Sequence, residues 1–443
     1  MNTKEKFTSS RRDFVKQSSL LAGGLVAMPF LSNAGYNSSV QDTIKVALIG
    51  CGGRGTGAAT QALLSKQNVK LVAMADAFRD RLDECYKNIT EEGEEKNFKD
   101  KLDVKEENKF VGFDAYLKAI PLADVVILAT PPGFRPIHFE EAIKQGKHVF
   151  MEKPVATDPA GVKKVLEIAA EAKRKKLNVV VGLQRHYQNS YRELYKRVQD
   201  GMIGEITSGQ VWWNNDGVWV KMRQPAQTEM EYQMRNWYYF NWLCGDHITE
   251  QHIHNIDVMN WFKGAYPVKA QGMGGRQVRT GKEFGEIYDH HYVEYHYADG
   301  SILNSQCRHI KGTYAKVDEL IVGTKGVVKC DAGEITSKDK TLYKFSQKVK
   351  DNPYQTEHDE LFAAIAKGEF KYADAENGAK ATLTSVMGRM ATYSGEVMEW
   401  DKILNSGLSI QPAKYAFDAQ PPVLPDANGF YPIATPGVTK YFS

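Results

Sequence analysis

The sequence predicts an α/β protein: an amino-terminal Rossmann domain with a doubly wound parallel sheet, followed by an α+β domain with a large, mostly antiparallel sheet. Up to residue 182, short apolar runs alternate with helical segments, which is the pattern of a parallel sheet covered by helices. The glycine-rich loop Gly50-Cys51-Gly52-Gly53-Arg54-Gly55 follows the first of these runs. Beyond residue 190, longer runs alternate apolar and polar residues, which is typical of antiparallel strands with one solvated face.

Length, charge and cysteine content narrow the classes of function. The 443 residues suffice for two domains of ordinary size. Lysine and arginine number 57 against 54 aspartates and glutamates, which leaves a net charge of +3. Nucleic acid is therefore not an expected partner. The five cysteines show no Cys-x-x-Cys spacing, so neither a disulfide framework nor a zinc site is indicated.

Residues 1–34 are predicted to be a twin-arginine export signal. The stretch Ser10-Arg11-Arg12-Asp13-Phe14 carries the paired arginines, an uncharged apolar stretch follows, and Ser32-Asn33-Ala34 offers small residues for cleavage. The apolar stretch is too short to span a bilayer, so no stable membrane insertion is expected after cleavage. The predicted location is the periplasm, and the predicted partner in transport is the twin-arginine export machinery.

Residues 35–182 are predicted to form the nucleotide-binding domain. Strands are expected at 44–49, 69–76, 125–130, 148–151 and 178–181, with helices at 56–67, 138–146 and 159–175. The glycine loop lies at the first strand-to-helix turn, where the backbone can approach a pyrophosphate. Asp76 ends the second strand, where a carboxylate binds ribose hydroxyls, so NAD is the predicted cofactor. Arg79 lies nearby and could meet a 2′-phosphate, which leaves NADP open.

The rest of the chain is divided by its charge, its pattern of apolar residues and its proline content. The charged stretch 91–108 is expected to be an exposed excursion. Residues 183–410 are predicted to form the substrate-binding and oligomerisation domain, with strands at 293–297, 301–308 and 320–329 and helices at 248–262, 357–366 and 375–394. Residues 411–443 contain six of the sixteen prolines together with aromatic residues, and are expected to be an extended tail lying on the protein or on a neighbour.

Ligands of doubly wound sheets bind outside the carboxyl ends of the strands. Thr130, Pro131 and Pro132 end one strand, and the Glu152-Lys153-Pro154 turn ends the next. The predicted cofactor-binding set is Gly50, Gly52, Gly53, Arg54, Gly55, Asp76, Thr130, Pro131, Pro132, His138, Glu152 and Lys153.

The order of the glycine loop, the Glu152-Lys153-Pro154 turn and the segment Glu250-Gln-His-Ile-His-Asn-Ile-Asp257 resembles the Gfo/Idh/MocA oxidoreductase family. The resemblance extends from about residue 44 to at least residue 393. It implies NAD(P)-dependent chemistry on a CH–OH group, with Lys153 hydrogen-bonded to the hydroxyl that is oxidised and His254 as the catalytic histidine. The family usually has Asp at the position of Glu250. The resemblance also implies a homodimer or homotetramer formed through the open face of the second sheet.

Hydride transfer asks for the same two residues on chemical grounds. Hydride leaves a carbinol carbon as the hydroxyl proton is removed, which needs a base that titrates near neutrality, and His254 suits that role. A cation such as Lys153 stabilises the negative charge that develops on oxygen. Glu250, His254 and Asp257 are spaced to share one face of a helix. Lys153, His254, Glu250 and Asp257 are therefore the predicted catalytic residues.

A carbohydrate substrate is indicated by aromatic residues interleaved with asparagines between positions 212 and 242, since flat rings suit the apolar face of a sugar. Most of these rings are expected in the core or an interface, and two or three on the sugar. The predicted substrate-binding residues are Gln184, Arg185, His186, Tyr187, Trp237, Tyr238 and His247. The spacing His247-x-x-Glu250-x-x-x-His254 is also that of a metal site. No metal is predicted, and His247 and His252 are expected to contact substrate or to pack.

The leading hypothesis is an exported NAD(P)-dependent dehydrogenase that acts on a ring hydroxyl or ketone of a sugar or glycoside. Its cofactor should be tightly bound, since free NAD is expected to be scarce outside the cytoplasm. An alternative is an NAD-dependent glycoside hydrolase that oxidises C3 transiently, eliminates the aglycone and returns the hydride. A third hypothesis is a non-catalytic sugar-binding protein of the same fold. The sugar, the reacting carbon, the net direction and the oligomeric state are left open.

Overall fold

A six-stranded parallel sheet forms the first half of the fold in the computed structural model, which describes residues 43–338, 340–347 and 351–442. The predicted export signal lies outside these residues. The strands are Ile44–Ile49 (β1), Val69–Asp76 (β2), Lys109–Val111 (β3), Val125–Leu128 (β4), His148–Met151 (β5) and Val179–Val181 (β6). They lie in the order β3-β2-β1-β4-β5-β6. The order reverses between β1 and β4, which is where such sheets bind ligands.

Helices connect these strands and bury their apolar faces on the sheet. They are Gly53–Leu64 (α1), Arg79–Glu95 (α2), Ala115–Ala119 (α3), Arg135–Lys144 (α4) and Pro159–Arg174 (α5). Most residues of β1, β2, β4, β5 and β6 are buried, which explains why each of these strands is a nearly continuous apolar run. The predicted parallel sheet is confirmed.

A nine-stranded sheet forms the second half. Its strands are Ile206–Asn215 (β7), Lys269–Gly275 (β8), His290–His296 (β9), Ile302–His309 (β10), Lys316–Gly323 (β11), Val327–Lys329 (β12), Glu334–Ser337 (β13), Lys340–Lys344 (β14) and Met398–Glu399 (β15). The order is β14-β13-β12-β11-β7-β10-β9-β8-β15. Only β7 and β10 pair in parallel, while the other neighbouring strands are antiparallel. The prediction of a mostly antiparallel sheet is confirmed.

The remaining helices pack on both sheets. They are Asn189–Gln199 (α6), Glu229–Arg235 (α7), Asn241–Cys244 (α8), His247–Glu250 (α9), Ile253–Lys263 (α10), Pro353–Ala366 (α11), Ala375–Ser394 (α12) and Trp400–Leu404 (α13). Helix α11 packs on α1, and α12 packs on both α5 and β8. Late segments of the chain therefore return to the nucleotide-binding sheet. None of the helices in the described ranges is long and apolar enough to cross a membrane.

Three sequence-based expectations need correction. The stretch 91–108 is not wholly an exposed excursion, because α2 continues to Glu95 and Phe98 is buried against the helix beside Gly93. The strand expected at 320–329 is a hairpin of β11 and β12, which is turned by residues 324–326. The helix expected at 248–262 is interrupted at Gln251 and His252, which separates α9 from α10.

The described residues of the expected tail, 411–442, contain no helix or strand and lie on the chain itself. Tyr415 packs on Phe134, with ring centroids 5.3 Å apart, and Tyr431 packs on Phe240 at 4.9 Å. Gln233 Nε2 donates a hydrogen bond to Val423 O at 2.7 Å. These contacts explain the aromatic residues of the tail, since a free linker needs none.

Candidate active site

A cavity of about 700 Å³ lies outside the carboxyl ends of β1, β2, β4 and β5 and extends to α9, α10 and the segment after β7. It is lined by most of the predicted cofactor-binding residues together with residues of the second sheet and its helices. The predicted residues that line it are Gly50, Gly52, Gly53, Arg54, Asp76, Thr130, Pro131, Pro132, His138, Glu152, Lys153, Gln184, Trp237, Glu250 and His254.

The glycine loop is packed so closely that two of its glycines are sterically required. Gly50 has φ +99°, a conformation that favours glycine. A Cβ on Gly55 would lie 1.9 Å from the carbonyl oxygen of Gly50. Gly52 and Gly53 instead face open space, with nothing within 4 Å of an added Cβ. The loop thus folds tightly on itself and leaves its outer side bare for a ligand at the start of α1.

Asp76 shapes the neighbouring part of the cavity. Its Oδ2 accepts a hydrogen bond from Cys51 N at 2.7 Å, and its Oδ1 accepts one from Phe78 N at 2.9 Å. Burial raises the pKa of this carboxyl group, against the effect of the two backbone hydrogen bonds. A carboxylate fixed beside a bare glycine loop fits an adenosine ribose and its pyrophosphate. The residues present therefore fit a nicotinamide dinucleotide.

Replacing Gly55 by alanine should weaken NAD binding by about tenfold or more, because the clash with Gly50 must displace the loop or the start of α1. Gly57→Ala is the matched control, since its Cβ would meet only Arg54 Nη1, at an ordinary 3.4 Å. Isothermal titration of each purified variant with NAD measures the effect. Equal affinities for the two variants would contradict this account of the loop.

Thr130 and His138 form the wall after β4. Thr130 Oγ1 lies 3.2 Å from His138 Nδ1, and the buried Arg135 donates to Thr130 O at 2.6 Å and to Glu152 O at 3.0 Å. Burial and the nearby Arg135 lower the pKa of His138 to about 3. His138 is therefore neutral near pH 7, and Arg135 ties the carboxyl ends of β4 and β5 together.

Lys153 and Glu250 form a nearly buried ion pair on the cavity wall. Lys153 Nζ donates to Glu250 O at 2.5 Å and to Glu250 Oε1 at 2.9 Å, and both side chains are about one-tenth exposed. Glu250 Oε2 is buried without a hydrogen-bond partner among the described residues. The turn of α9 thus fixes the ammonium group through two contacts and leaves one carboxylate oxygen uncommitted.

His254 lies on the first turn of α10 and lines the same cavity. Its pKa is lowered well below the usual value, first by burial and then by the charges of Lys153 and Arg185. The imidazole is therefore neutral at physiological pH and can accept a proton, although its pKa lies below the near-neutral value expected from the sequence. Its ring lies 6.1 Å from that of Trp213, in a stacked orientation.

Arg54 joins the glycine loop to the turn after β5 and to a distant helix. Its Nε donates to Glu152 Oε1 at 2.6 Å, and its Nη2 donates to Glu357 Oε1 of α11 at 3.2 Å. Burial, together with the Glu152 charge, raises the pKa of Glu357 well above its usual value. Nothing in the sequence signalled Glu357, because it lies about 300 residues from Arg54 and carries no motif.

Apart from Gly55, which packs on the backbone of Gly50 within the loop, six of the predicted site residues do not line the cavity. Each is committed to another contact. Arg185 pairs with Glu319, His186 with Asp257 at 2.6 Å, and Tyr187 with Asp374 at 2.7 Å. Tyr238 packs among aromatic rings, and His247 is fully buried. The residues that need this correction are Arg185, His186, Tyr187, Tyr238, His247 and Asp257.

Asp257 was expected beside His254 but lies behind it. Its Oδ2 contacts His186 Nε2, and its Oδ1 accepts a hydrogen bond from Asn377 at 3.1 Å. Burial alone would lower the pKa of His186, but the Asp257 carboxylate outweighs burial and raises it. This pair anchors α10 to the turn after β6, so Asp257 holds the helix that carries His254.

The histidines near α9 do not form the spacing-based metal site. His247 faces Asp246 and His291, and one ligand atom from each of these three residues lies within 4.8 Å of the others. The Asp246 carboxylate lies 2.8 Å from His247 Nδ1 and 3.2 Å from His291 Nε2. Because the chain bends at Gln251 and His252, His247 points into this buried hydrogen-bond network and away from the cavity.

Further residues line the cavity that the sequence analysis did not assign to the site. They come mainly from the turns after β2 and β3, from α4, from the segment after β7, and from α11. They include Phe78, Arg81, Phe113, Tyr116, Phe134, Arg135, Trp213, Trp219, Lys221, Arg235, Gln251 and Tyr354. Phe78 and Arg81 lie two and five residues after Asp76, so their place beyond the end of β2 could have been inferred. Tyr354 had no such signal.

Two protein-family models match the chain and together cover more than half of it. The first, described as an oxidoreductase family with an NAD-binding Rossmann fold (GFO/IDH/MocA), matches residues 44–181. The second, the GFO/IDH/MocA C-terminal domain, matches residues 191–329. The first matched range contains all six strands of the parallel sheet, and the second contains β7 to β12 of the nine-stranded sheet.

Curated relatives and solved structures agree with this match. Inositol 2-dehydrogenase of Serratia proteamaculans is 26% identical over 370 residues, which span 80% of this chain and 96% of that protein. Escherichia coli 2,7-anhydro-N-acetylneuraminate hydratase is 26% identical over 222 residues, 48% of this chain and 53% of that protein. The structure of Lactobacillus casei scyllo-inositol dehydrogenase with NAD(H) and scyllo-inositol has a TM-score of 0.61 at 20% identity, covering 81% of this chain and 100% of that one. This last likeness supports the fold.

Proposed function

The chain belongs to the GFO/IDH/MocA oxidoreductase family, and we propose that it transfers hydride between NAD and a ring hydroxyl or ketone of a sugar or glycoside. The observation that carries the proposal is one cavity that holds the glycine loop and Asp76 together with Lys153, Glu250 and His254. The first group fits a dinucleotide. The second group is a fixed cation beside a neutral imidazole, which is what oxidation of an alcohol requires.

Bound NAD would supply the hydride acceptor, and the chain supplies proton transfer and charge stabilisation. The neutral His254 takes the hydroxyl proton in the oxidative direction and returns it in the reductive one. The Lys153 ammonium stabilises the negative charge that develops on the substrate oxygen. Glu250 holds that ammonium through its backbone and side-chain oxygens, so the cation is in place before the reaction begins.

Unpartnered polar atoms support a hydroxyl-rich substrate. Trp213 Nε1, Gln184 Oε1 and Glu250 Oε2 are buried without partners among the described residues, and all three residues line the cavity. Leaving such groups unpaired is costly, and hydroxyls of a ring could satisfy donors and acceptors alike. The relatives named as inositol dehydrogenases support a reacting ring that carries several hydroxyl groups.

The position of the Arg79 side chain supports NAD over NADP as the cofactor. Its guanidinium pairs with Asp83 at 2.9 Å and with Glu106 at 2.5 Å, and it does not line the cavity. A 2′-phosphate would instead meet the Asp76 carboxylate, and like charges at close range repel. We therefore expect NAD to bind more tightly than NADP.

The test is an absorbance spectrum of the purified protein with NAD, before and after mixing with a panel of sugars and glycosides. We expect the absorbance of reduced nicotinamide to appear with a substrate and to disappear when a keto-sugar is added. A protein that binds neither NAD nor NADP would rule the proposal out.

The glycoside hydrolase remains a second candidate on two observations. Tyr116 and Tyr354 line the cavity and offer hydroxyl groups, and the similarity to a 2,7-anhydro-N-acetylneuraminate hydratase shows that a related chain is named for a reaction other than net oxidation. In this candidate the nicotinamide would end each turnover in its starting state while a glycosidic bond is cleaved. Analysis of released sugars in the same mixtures separates the two functions.

Export and assembly belong to the same proposal. The paired Arg11-Arg12 and the following apolar stretch support transport of a folded protein with its cofactor into the periplasm. We expect expression of the full chain to yield a shortened periplasmic form, and Arg11→Lys with Arg12→Lys to keep it in the cytoplasm. We also expect a homodimer or homotetramer, which light scattering on the purified protein measures.

A further inference from the structure

The cavity has an outer part that the proposed chemistry does not use. It is formed by Trp219, Lys221 and Trp237, which lie on the segment after β7 and just after α7. Trp219 is 42% exposed, although it is among the largest apolar side chains of the molecule. Single exposed apolar residues are ordinary, but here two indoles and an ammonium group share one rim of the active-site cavity.

The backbone holds this rim in a defined extended conformation. Val218 and Val220 pack on the aromatic core, while Trp219 and Lys221, each of which follows one of these valines, line the cavity. Lys221 N donates to Asn236 Oδ1 at 2.8 Å. This alternation is that of an extended strand, so the outward side of residues 219 and 221 is set by the burial of their neighbours.

The two indoles are arranged edge to face and do not cover each other. The ring centroids of Trp219 and Trp237 lie 5.8 Å apart with an interplanar angle of 66°. Lys221 Nζ lies over the face of the Trp219 ring, 5.9 Å from its centroid, and Lys221 forms no salt bridge within the described part of the chain. A half-exposed indole with an ammonium donor at its side that forms no salt bridge suits a ring that has an apolar face and a hydroxylated edge.

The inner part of the cavity has a different character. Lys153, Glu250 and His254 are nearly or fully buried and polar, and they contain the unpartnered Glu250 Oε2. One reacting ring satisfies these inner groups. It does not at the same time account for an aromatic rim that lies nearer the solvent.

We propose that Trp219, Trp237 and Lys221 form an outer subsite for a second six-membered ring, so that the substrate is a glycoside and not a free monosaccharide or cyclitol. This inference rests on the proposed function and specifies its substrate class. The second ring is either a neighbouring sugar or an aromatic aglycone, since both present a flat face to an indole. Lys221 would donate to oxygen atoms at the edge of that ring.

The experiment compares three substrates that share one reacting ring: the free monosaccharide, a disaccharide and an aryl glycoside. Initial rates of nicotinamide reduction give kcat/KM for each. We expect the wild-type protein to favour at least one two-ring substrate, and Trp219→Ala to lower kcat/KM for that substrate by about tenfold while leaving the monosaccharide unchanged. Which two-ring substrate responds distinguishes the sugar from the aromatic aglycone.

Trp212→Ala is the matched control. Trp212 is the same side chain on β7, but it does not line the cavity and lies beneath Lys316, 3.5 Å from Lys316 Nζ to the ring centroid. Its replacement should change none of the three kcat/KM values. Equal kcat/KM for all three substrates in the wild-type protein, or an equal loss for all three in Trp219→Ala, would overturn the outer subsite while leaving the dehydrogenase intact.

A binding measurement keeps the inference testable if no substrate is oxidised. In that case the proposed function fails, but calorimetric titration with the same three ligands still tests the subsite. Tighter binding of a two-ring ligand that is lost in Trp219→Ala supports it, and equal binding by both proteins overturns it. Because Trp219 is substantially exposed, the thermal unfolding midpoint of the variant should match that of the wild type.

Discussion

Lys153→Met should lower kcat for sugar oxidation by about 100- to 1,000-fold, the size of effect seen when one electrostatic contact to a developing oxyanion is removed. Methionine nearly preserves the length of the side chain but removes the charge. It also leaves the Glu250 carboxylate unpaired on the cavity wall, where it would repel negative charge on the substrate oxygen. Steady-state kinetics on the purified variant, with NAD saturating, measures the loss.

The pH dependence of the same variant separates a catalytic loss from a structural one. The Lys153 charge follows burial among the causes that lower the pKa of His254. Removing that charge should raise the pKa of His254, so the acidic limb of the kcat profile should move to higher pH. Lys144→Met is the control, since Lys144 is exposed and lies 3.8 Å from Glu141 on the outer face of α4. A loss below tenfold with an unshifted profile would contradict the role given to Lys153.

Much of the fold was predictable because its signals are local. The apolar runs of β1, β2 and β4 and the helices that follow them lie close together in the sequence, and each run is buried on both faces. The glycine loop and Asp76 were predictable for the same reason, since both stand at strand ends whose positions follow from the pattern. Lys153 and His254 came from the family resemblance together with the chemistry of the reaction.

The parts that could not be predicted depend on long-range packing. An even helix from 248 to 262 would place Glu250, His254 and Asp257 on one face, but the chain bends at His252. Because of the bend, Glu250 contacts Lys153 at the cavity, whereas Asp257 contacts His186 behind the helix. No local pattern marked this break. Arg185 was likewise predicted to contact the substrate, but it pairs with the buried carboxylate of Glu319, which lies 134 residues away in the sequence.

Lowering the pH from 7 to 5.5 should destabilise the folded protein by several kcal/mol. Burial is the first cause that lowers the pKa of His138 and His252 to about 3 and of His148 and His247 to about 4. In the unfolded chain histidine titrates near 6.5, so below that pH the unfolded state binds more protons. Each buried histidine then costs up to about 1.4 kcal/mol per pH unit until its folded pKa is reached.

The free energy of unfolding falls with pH because these histidines are buried in their neutral form. A histidine with a depressed pKa contributes stability above pH 6.5, and the contribution is lost as the pH falls toward 4. His186 opposes the trend, because its pKa is raised by Asp257. The buried carboxyl groups of Asp76 and Glu357 oppose it too, because burial raises their pKa and the folded state then binds more protons as the pH falls. Urea denaturation at pH 7.5, 6.5 and 5.5 measures the slope. A free energy of unfolding that stays constant over this range would contradict the neutral burial of these rings.

His358→Phe should remove one part of that slope without removing the packing. His358 is fully buried, its ring lies 4.1 Å from that of Phe150, and neither ring nitrogen has a hydrogen-bond partner within the described residues. Burial and the charge of Arg54 lower its pKa well below the usual value. Phenylalanine fills a similar volume and binds no proton in either state. We expect stability at pH 7.5 equal to or above that of the wild type, and a rise of the unfolding constant between pH 6.5 and 5.5 that is about fivefold smaller. A pH dependence of stability equal to that of the wild type would show that folding does not lower the pKa of His358, and would contradict its neutral burial.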